Sequence, residues 1–287
     1  MLAFPNCKIN LGLNITRKRS DGYHDLETVF YPVQLKDALE IIRQPPTDNH
    51  QPATVSQQLS LVNFSASGLV INGPENDNLC IKAYQLLQQD FPDLPRIKMH
   101  LHKAIPMGAG LGGGSADGAF ALQLLNDKFQ LKLTSGQLAN YALQLGSDCP
   151  FFILNKPCFA TGRGEIMQPI NLDLSAYQIV VINPKIHIGT AWAFGNIVPQ
   201  TPQQSIKQII ELPIPTWREK LVNDFEKPAI KQYPEIGNIK ELLYQYGAVY
   251  SSMTGSGSTV YGLFDIQKKI QFSFPKNYFI FSTFQVQ

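Results

Sequence analysis

Little in this chain of 287 residues invites an export, membrane or nucleic-acid role. The four cysteines, Cys7, Cys80, Cys149 and Cys158, form no C-x-x-C pair, so neither a zinc-ribbon spacing nor a dithiol redox motif is present. No apolar run approaches the ~20 residues that span a bilayer. Met1-Leu2-Ala3-Phe4-Pro5 lacks a charged segment followed by an apolar block, so no export signal, reduced thiols and a cytoplasmic location are the expectations. Excess positive charge is also missing: 24 Lys and Arg stand against 22 Asp and Glu, for a net +2. The single basic knot, Arg17-Lys18-Arg19, is too small for a nucleic-acid footprint. The five histidines are scattered. His100 and His102 share one face of a strand, but two ligands make a poor metal site, and no metal ligand is assigned. Nothing bears on oligomeric state.

What is present suffices for a sizeable core. Hydrophobic residues make up 44% of the chain, and the length suits one large or two medium domains. Ile9, Leu11, Leu13 and Ile15 alternate with polar or small residues, the period of a half-buried strand. Residues 17–22 read as a turn, 26–33 and 38–42 as strands, and 45–58 as an exposed polar loop. Asn78 caps a helix to about Gln89. A strand follows at 96–103, and then helices at 115–126 and 134–145, the second capped by Thr134. Strands are predicted at 151–154, 158–160, 178–182, 248–253, 259–264 and 278–284, with helices near 204–210, 218–225 and 235–246. Strands and helices interleave throughout, so the class is α+β (mixed α/β), with a boundary expected near 155–165.

The most informative segment is Pro106-Met107-Gly108-Ala109-Gly110-Leu111-Gly112-Gly113-Gly114-Ser115-Ala116-Asp117. Glycine reaches positive φ and lets backbone N–H groups approach a ligand. A loop of such donors opening onto a helix N-terminus is a ready anion site. No Gly-Lys-Ser/Thr follows, which excludes a Walker A loop. Gly108, Gly110 and Gly113 fit G-x-G-x-x-G, but that pattern wants an acidic residue after a second strand about 20 positions on. Asp127 follows a helical pattern instead. A phosphate cradle remains, with a ligand-free flexible loop as the alternative.

Three further segments stand out. In Lys8-Ile9-Asn10-Leu11-Gly12-Leu13, Lys8 and Asn10 share one face of an apolar strand. Taken alone, Lys8 reads as a strand-end surface residue, yet lysine is rarely buried without a partner. Gly146-Ser147-Asp148 places a carboxylate on a turn before an apolar strand, where an aspartate can simply satisfy its own backbone. Thr254-Gly255-Ser256-Gly257-Ser258 is a second glycine loop between strands, or a plain hairpin.

In this order the segments resemble the three signature motifs of the GHMP small-molecule kinases. Asp21-Gly22-Tyr23-His24, Asn76-Asp77-Asn78-Leu79, the run from Gly110 to Ser115, Gly146-Ser147-Asp148 and Gly162-Arg163-Gly164-Glu165 narrow the match. They are similar to the branch whose acceptor is 4-diphosphocytidyl-2-C-methyl-D-erythritol, in the non-mevalonate isoprenoid pathway. Two departures stand out: Asn6-Cys7 replace the more usual residues before Lys8, and Gly118 stands where alanine is common.

The resemblance implies a two-domain fold with a cleft between the domains, an ATP-binding part at 1–158 and a second part at 159–287. It implies ATP-dependent phosphorylation of the acceptor's 2-hydroxyl, with Mg²⁺ expected alongside ATP. Pro106, Gly108, Gly110, Leu111, Gly112, Gly113, Gly114 and Ser115 would hold the ATP phosphates. Asp148 would take the hydroxyl proton, and Lys8 would keep it ionised. Asn10 would orient the substrate, beside Thr254, Gly255 and Ser256. Tyr23 and Phe194 would sandwich cytosine while His24 reads its edge, although Phe194 also suits plain core packing. The partners implied are small molecules only. Rivals are another kinase of the superfamily, a nicotinamide enzyme and a non-catalytic sensor.

Overall fold

A computed structural model describes residues 1–45 and 61–283. The strands are β1 (Leu2–Ala3), β2 (Asn6–Lys18), β3 (His24–Lys36), β4 (Ala38–Arg43), β5 (Val62–Gly68), β6 (Ile97–Lys103), β7 (Cys158–Thr161), β8 (Ile166–Pro169), β9 (Tyr177–Asn183), β10 (Tyr250–Met253), β11 (Val260–Asp265) and β12 (Phe279–Ser282). The α-helices are α1 (Leu79–Asp90), α2 (Gly113–Phe129), α3 (Ser135–Leu145), α4 (Cys149–Leu154), α5 (Thr190–Gly195), α6 (Ile206–Ile209), α7 (Trp217–Lys220), α8 (Glu226–Gln232) and α9 (Pro234–Gln245). The mixed α and β content agrees with the expected class. Most of the loop predicted at 45–58, and the end of the last predicted strand, lie outside the described residues.

The chain forms two compact units, each made of three segments: Met1–Pro5, Lys36–Ile105 and Gly114–Leu154 make the first, and Asn6–Leu35, Pro106–Gly113 and Asn155–Gln287 the second, so that only the second draws on both sides of residue 158. In the first unit the sheet order is β1-β4-β6-β5, with β5 parallel to β6 and the other pairs antiparallel. Strand β6 alternates buried and accessible residues, and its inner face packs Ile97, Met99 and Leu101 in the core. Asn78 caps α1 by accepting from the Cys80 amide, and Thr134 with Gln137 forms a capping box on α3, as their sequence positions predict. Gly118 costs helix propensity, but a Cβ there would come 2.8 Å from Leu79 Cβ. The glycine allows α2 to approach the start of α1.

The second unit holds two sheets, β2-β3-β7-β8 and β10-β11-β9-β12. Apolar residues of β9 and β11 pack with α8 and α9 in one core, which contains Val180, Ile182, Ala229, Ile236, Ile239 and Val260. Three predictions need correction. Residues 151–154 belong to helix α4, not a strand. Four consecutive apolar residues suit either state, and Pro150 near a helix start decides for helix. The helix predicted over 218–225 stops at Lys220. Beyond it the chain extends, and Leu13 bonds to Val222 while Asp224 bonds back to Leu13. The turn predicted at 17–22 is shorter, because Arg17 and Lys18 still belong to β2.

Candidate active site

In the second unit, one buried amide joins two of the segments the sequence singles out, and a third is bonded to both. Strand β2 buries ten consecutive residues, so Lys8 and Asn10 are held inside, at 3% and 1% exposure. The Lys8 Nζ donates to Asn10 Oδ1 at 2.7 Å and lies 4.8 Å from the centroid of the Phe30 ring. The same Oδ1 accepts from the Gly255 amide at 3.0 Å and lies 3.2 Å from Thr254 Oγ1. Asn10 donates its side-chain amide to Thr28 Oγ1 at 3.0 Å, and its backbone N–H to Thr254 Oγ1 at 3.0 Å. A buried polar group needs such partners, because each one left unmade costs about 1–3 kcal/mol.

The first glycine loop is locked to this hub. The Lys8 amide donates to the Leu111 carbonyl at 3.0 Å, and Thr254 Oγ1 lies 3.1 Å from the Gly110 carbonyl. Gly108, Gly110 and Gly112 all have positive φ, at 63°, 77° and 69°, the region open to glycine at little cost. A Cβ on Gly110 would stand 2.1 Å from the Thr254 carbonyl oxygen. Thr254–Ser258 does join antiparallel β10 and β11, but it is more than a hairpin, because it braces the first loop. Behind it, Asn223 donates to the Met253 and Gly255 carbonyls at 2.8 and 2.9 Å.

A different group surrounds Tyr23. The residue is 55% exposed, and the Arg163 guanidinium lies over its ring at 4.8 Å from the centroid. His24 stacks on Phe194, with centroids 4.8 Å apart and 20° between planes. Phe194 also meets Phe225 edge-on at 5.0 Å. One face of Phe194 is thus taken by His24, and Tyr23 pairs with Arg163. Arg17 and Arg19 bond to Asp25, and Arg19 to Asp21 as well. These bonds hold both carboxyls below the usual carboxylate range.

In the first unit, Gly114 and Ser115 open helix α2. Asp117, in its first turns, is buried with Lys103 and Asp37. Lys103 Nζ reaches Asp117 Oδ2 at 2.7 Å and also bonds Asp37. Asp37 Oδ1 accepts the amides of Ala104 and Ile105 at 2.6 and 2.8 Å, while Asp117 Oδ1 has no partner in the structure. Burial pushes the Asp117 carboxyl up to about 8; Lys103 opposes that shift and Asp37 adds to it. Half-buried Asp148 stands on the turn between α3 and α4, and its carbonyl accepts the Phe151 amide at 3.3 Å. The adjacent Cys149 thiol is raised to about 12 by burial, against a hydrogen bond with Ser115. Asp148 therefore lies between two helices, not before a strand.

Lys8, Asn10, Gly110, Leu111, Thr254 and Gly255 thus come together. Pro106, Gly108, Gly112, Gly113 and half-buried Ser256 lie on the same two loops. Asn10 Oδ1 bonds protein partners, and the nearest charge to it is that of Lys8. Thr28, Asn223, Asp37 and Lys103 escape the sequence analysis, and Arg163 and Asp117 enter it only as members of motifs, with no role of their own. Lys103 had a signal, because it shares the phase of Ile97, Met99 and Leu101. Among the described residues, no group of three or more His, Cys, Asp or Glu side chains could hold a metal ion, and no helix is long and apolar enough to cross a membrane.

Comparisons with known proteins show the family of this chain. Residues 78–156 match the GHMP kinases N terminal domain, and residues 205–278 match the GHMP kinases C terminal. The 4-diphosphocytidyl-2-C-methyl-D-erythritol kinase of Bacteroides thetaiotaomicron is 54% identical over 92% of both chains. The protein of that name from Cytophaga hutchinsonii is 44% identical over 92% of this chain and 93% of its own. A crystal structure of 4-(cytidine 5'-diphospho)-2C-methyl-D-erythritol kinase superposes with a TM-score of 0.75 at 30% identity, covering 92% of this chain and 90% of that one.

Proposed function

We propose a reaction from the premise that this chain belongs to the GHMP kinases and, within them, to the 4-diphosphocytidyl-2-C-methyl-D-erythritol kinases. It is a small-molecule kinase that transfers the γ-phosphoryl group of ATP to the 2-hydroxyl of 4-diphosphocytidyl-2-C-methyl-D-erythritol, in the non-mevalonate route to isoprenoids. The observation that supports the site assignment is the Asn10 side chain, which bonds its strand neighbour Lys8 and brings in Thr254 and Gly255 from a distant segment.

Phosphoryl transfer asks a protein mainly to position groups and stabilise charge. In this proposal Asp148 takes the proton from the 2-hydroxyl as its oxygen attacks the γ-phosphorus and the bond to ADP breaks. The positive charge of Lys8 favours the developing alkoxide. Asn10 acts on Lys8, fixing its ammonium group. Residues 106–113, with Gly114 and Ser115 at the start of α2, hold the ATP phosphates, where backbone N–H groups and the helix dipole favour anions. Mg²⁺, if bound with ATP, would offset charge on those phosphates, and no protein ligand is assigned to it. Tyr23, His24 and Phe194 take the cytosine, and Thr254, Gly255 and Ser256 border the acceptor. Cytoplasmic location completes the proposal.

The direct test is ADP release measured with the diphosphocytidyl acceptor beside mevalonate and homoserine. Turnover with the first alone is the expected result. Equal or faster turnover of either other alcohol overturns the substrate assignment.

A further inference from the structure

The Gly162-Arg163-Gly164-Glu165 segment has no part in the reaction above, yet it is built with care. It turns the chain between β7 and β8, with Gly162 at φ 69° and Gly164 at φ 109°. Glu165 closes the turn on itself: its Oε2 accepts the Arg163 amide at 2.6 Å, and its Oε1 lies 3.7 Å from Arg163 Nε. A Cβ on Gly162 would come within 3.0 Å of that carboxylate, so glycine is what admits it. The Gly162 carbonyl accepts the Leu26 amide at 2.7 Å, which ties the turn to β3 just beyond His24.

The guanidinium so aimed lies over Tyr23, with Cζ 4.8 Å from the ring centroid. The backbone of Tyr23 is fixed from the other side. Its N–H donates to Asp21 Oδ1 at 3.1 Å, and its carbonyl accepts the Arg19 amide at 2.8 Å. The peptide is therefore set by one turn and the ring by another. A tyrosine 55% exposed would otherwise sample several rotamers, and ordering it on binding would cost affinity. Charge argues against a role as an anion receptor. Arg17, Arg19 and Arg163 are matched by Asp25, Asp21 and Glu165, so these three guanidinium groups carry little surplus charge toward a diphosphate.

We propose that Arg163 is a positioning residue for nucleobase recognition: held by Glu165, it covers one face of Tyr23 and fixes the ring so that the other face is open to the base. The proposal rests on the assignment of Tyr23 to cytosine stacking. It extends that assignment to a cation which itself does not touch the ligand.

A double-mutant cycle read by CMP titration calorimetry tests it. The proteins are the wild type, Arg163→Ala, Arg163→Lys, Tyr23→Ala and Arg163→Ala with Tyr23→Ala. In the wild-type background Arg163→Ala should weaken CMP roughly two- to fivefold, the size of an exposed cation–π contact. Arg163→Lys should recover part of that loss. KM for the diphosphocytidyl acceptor should rise in step, with kcat and the KM for ATP unchanged. In the Tyr23→Ala background the Arg163 effect should vanish, because its route to the ligand is gone. Equal weakening in both backgrounds overturns the proposal, since Arg163 would then act without Tyr23. No weakening by Arg163→Ala where Tyr23→Ala does weaken CMP overturns it while the Tyr23 assignment stands. No effect of Tyr23→Ala overturns the assignment itself and the proposal with it. Should Arg163→Ala unfold, Glu165→Gln loosens the same guanidinium without removing it. A smaller loss of CMP affinity that also vanishes without Tyr23 is expected, and no loss overturns the proposal.

Discussion

The hub around Asn10 and the rim around Tyr23 lie in the same unit and solve opposite problems. In the hub a single cation, Lys8, is buried among an amide, hydroxyls and backbone groups, and one Asn10 oxygen accepts from Lys8 and the Gly255 amide beside the Thr254 hydroxyl. In the rim, three arginines and three carboxylates pair at the surface. Buried hydrogen bonds are costly to leave unmade, whereas exposed ion pairs are each worth roughly 0–1 kcal/mol. The hub therefore behaves as one rigid object, suited to holding reacting groups to within tenths of an ångström. The rim holds an exposed aromatic ring by weaker surface pairs, which suits it to selecting a ligand. A change in the hub should abolish turnover; a change in the rim should shift affinity for one partner.

The largest effect is expected from Gly110→Ala. Its Cβ would stand 2.1 Å from the Thr254 carbonyl oxygen, at a positive φ of 77°, so the two glycine loops cannot both keep their places. Loss of detectable ATP binding, together with a lower melting temperature, is expected by calorimetry and thermal denaturation. Unchanged ATP affinity would mean that the loops are not braced against each other. Next comes Asp148→Asn, which keeps the shape but cannot take a proton. Removal of a general base costs ~10²–10⁴ in kcat, while CMP affinity should stay within about twofold if chemistry and recognition are separate. Activity within threefold of the wild type would remove Asp148 from the mechanism.

On the rim, Tyr23→Ala should weaken CMP about 5- to 150-fold, since a stacked base is worth ~1–3 kcal/mol. ATP affinity should not move; a parallel fall in both would mean that rim and hub are not independent.

Burial and charge both differ between hub and rim, so the first unit supplies a control in which a polar network is buried and ionic. With the Asp117 carboxyl at about 8, the folded protein holds a proton that the unfolded chain, near its ordinary carboxylate value, has released. Stability should therefore fall as pH rises between roughly 5 and 8, and level off above that range. In Asp117→Asn this slope should be reduced, as read by urea midpoints across the same range. Identical slopes would mean that Asp117 ionises as freely in the folded protein as in the unfolded chain.

Much of this was legible in the sequence, and the gaps have physical causes. The glycine loop, the Asn78 and Thr134 caps and most strands announce themselves locally, through backbone freedom, capping side chains and alternation. The Asn10 hub does not, because its partner Thr254 is 244 positions away and no local signal reports a contact at that distance. Arg163 looks like an ordinary turn residue until the turn is seen over Tyr23. Residues 151–154 misled because a short apolar run has no period. Lys103 could have been found, since its alternation with Leu101 and Met99 placed it inside, where a lysine requires carboxylates.

The central claim is that an exposed aromatic rim selects a cytidine ligand while a buried hub serves the transfer. It is tested most directly by competition of CMP and UMP against the diphosphocytidyl acceptor in the wild-type enzyme. The two differ only at the base edge, and a site built to hydrogen-bond that edge rejects the wrong one by leaving buried groups unpaired. CMP should inhibit well and UMP poorly, with the gap narrowed by His24→Ala. Equal inhibition by the two nucleotides in the wild type would contradict the account.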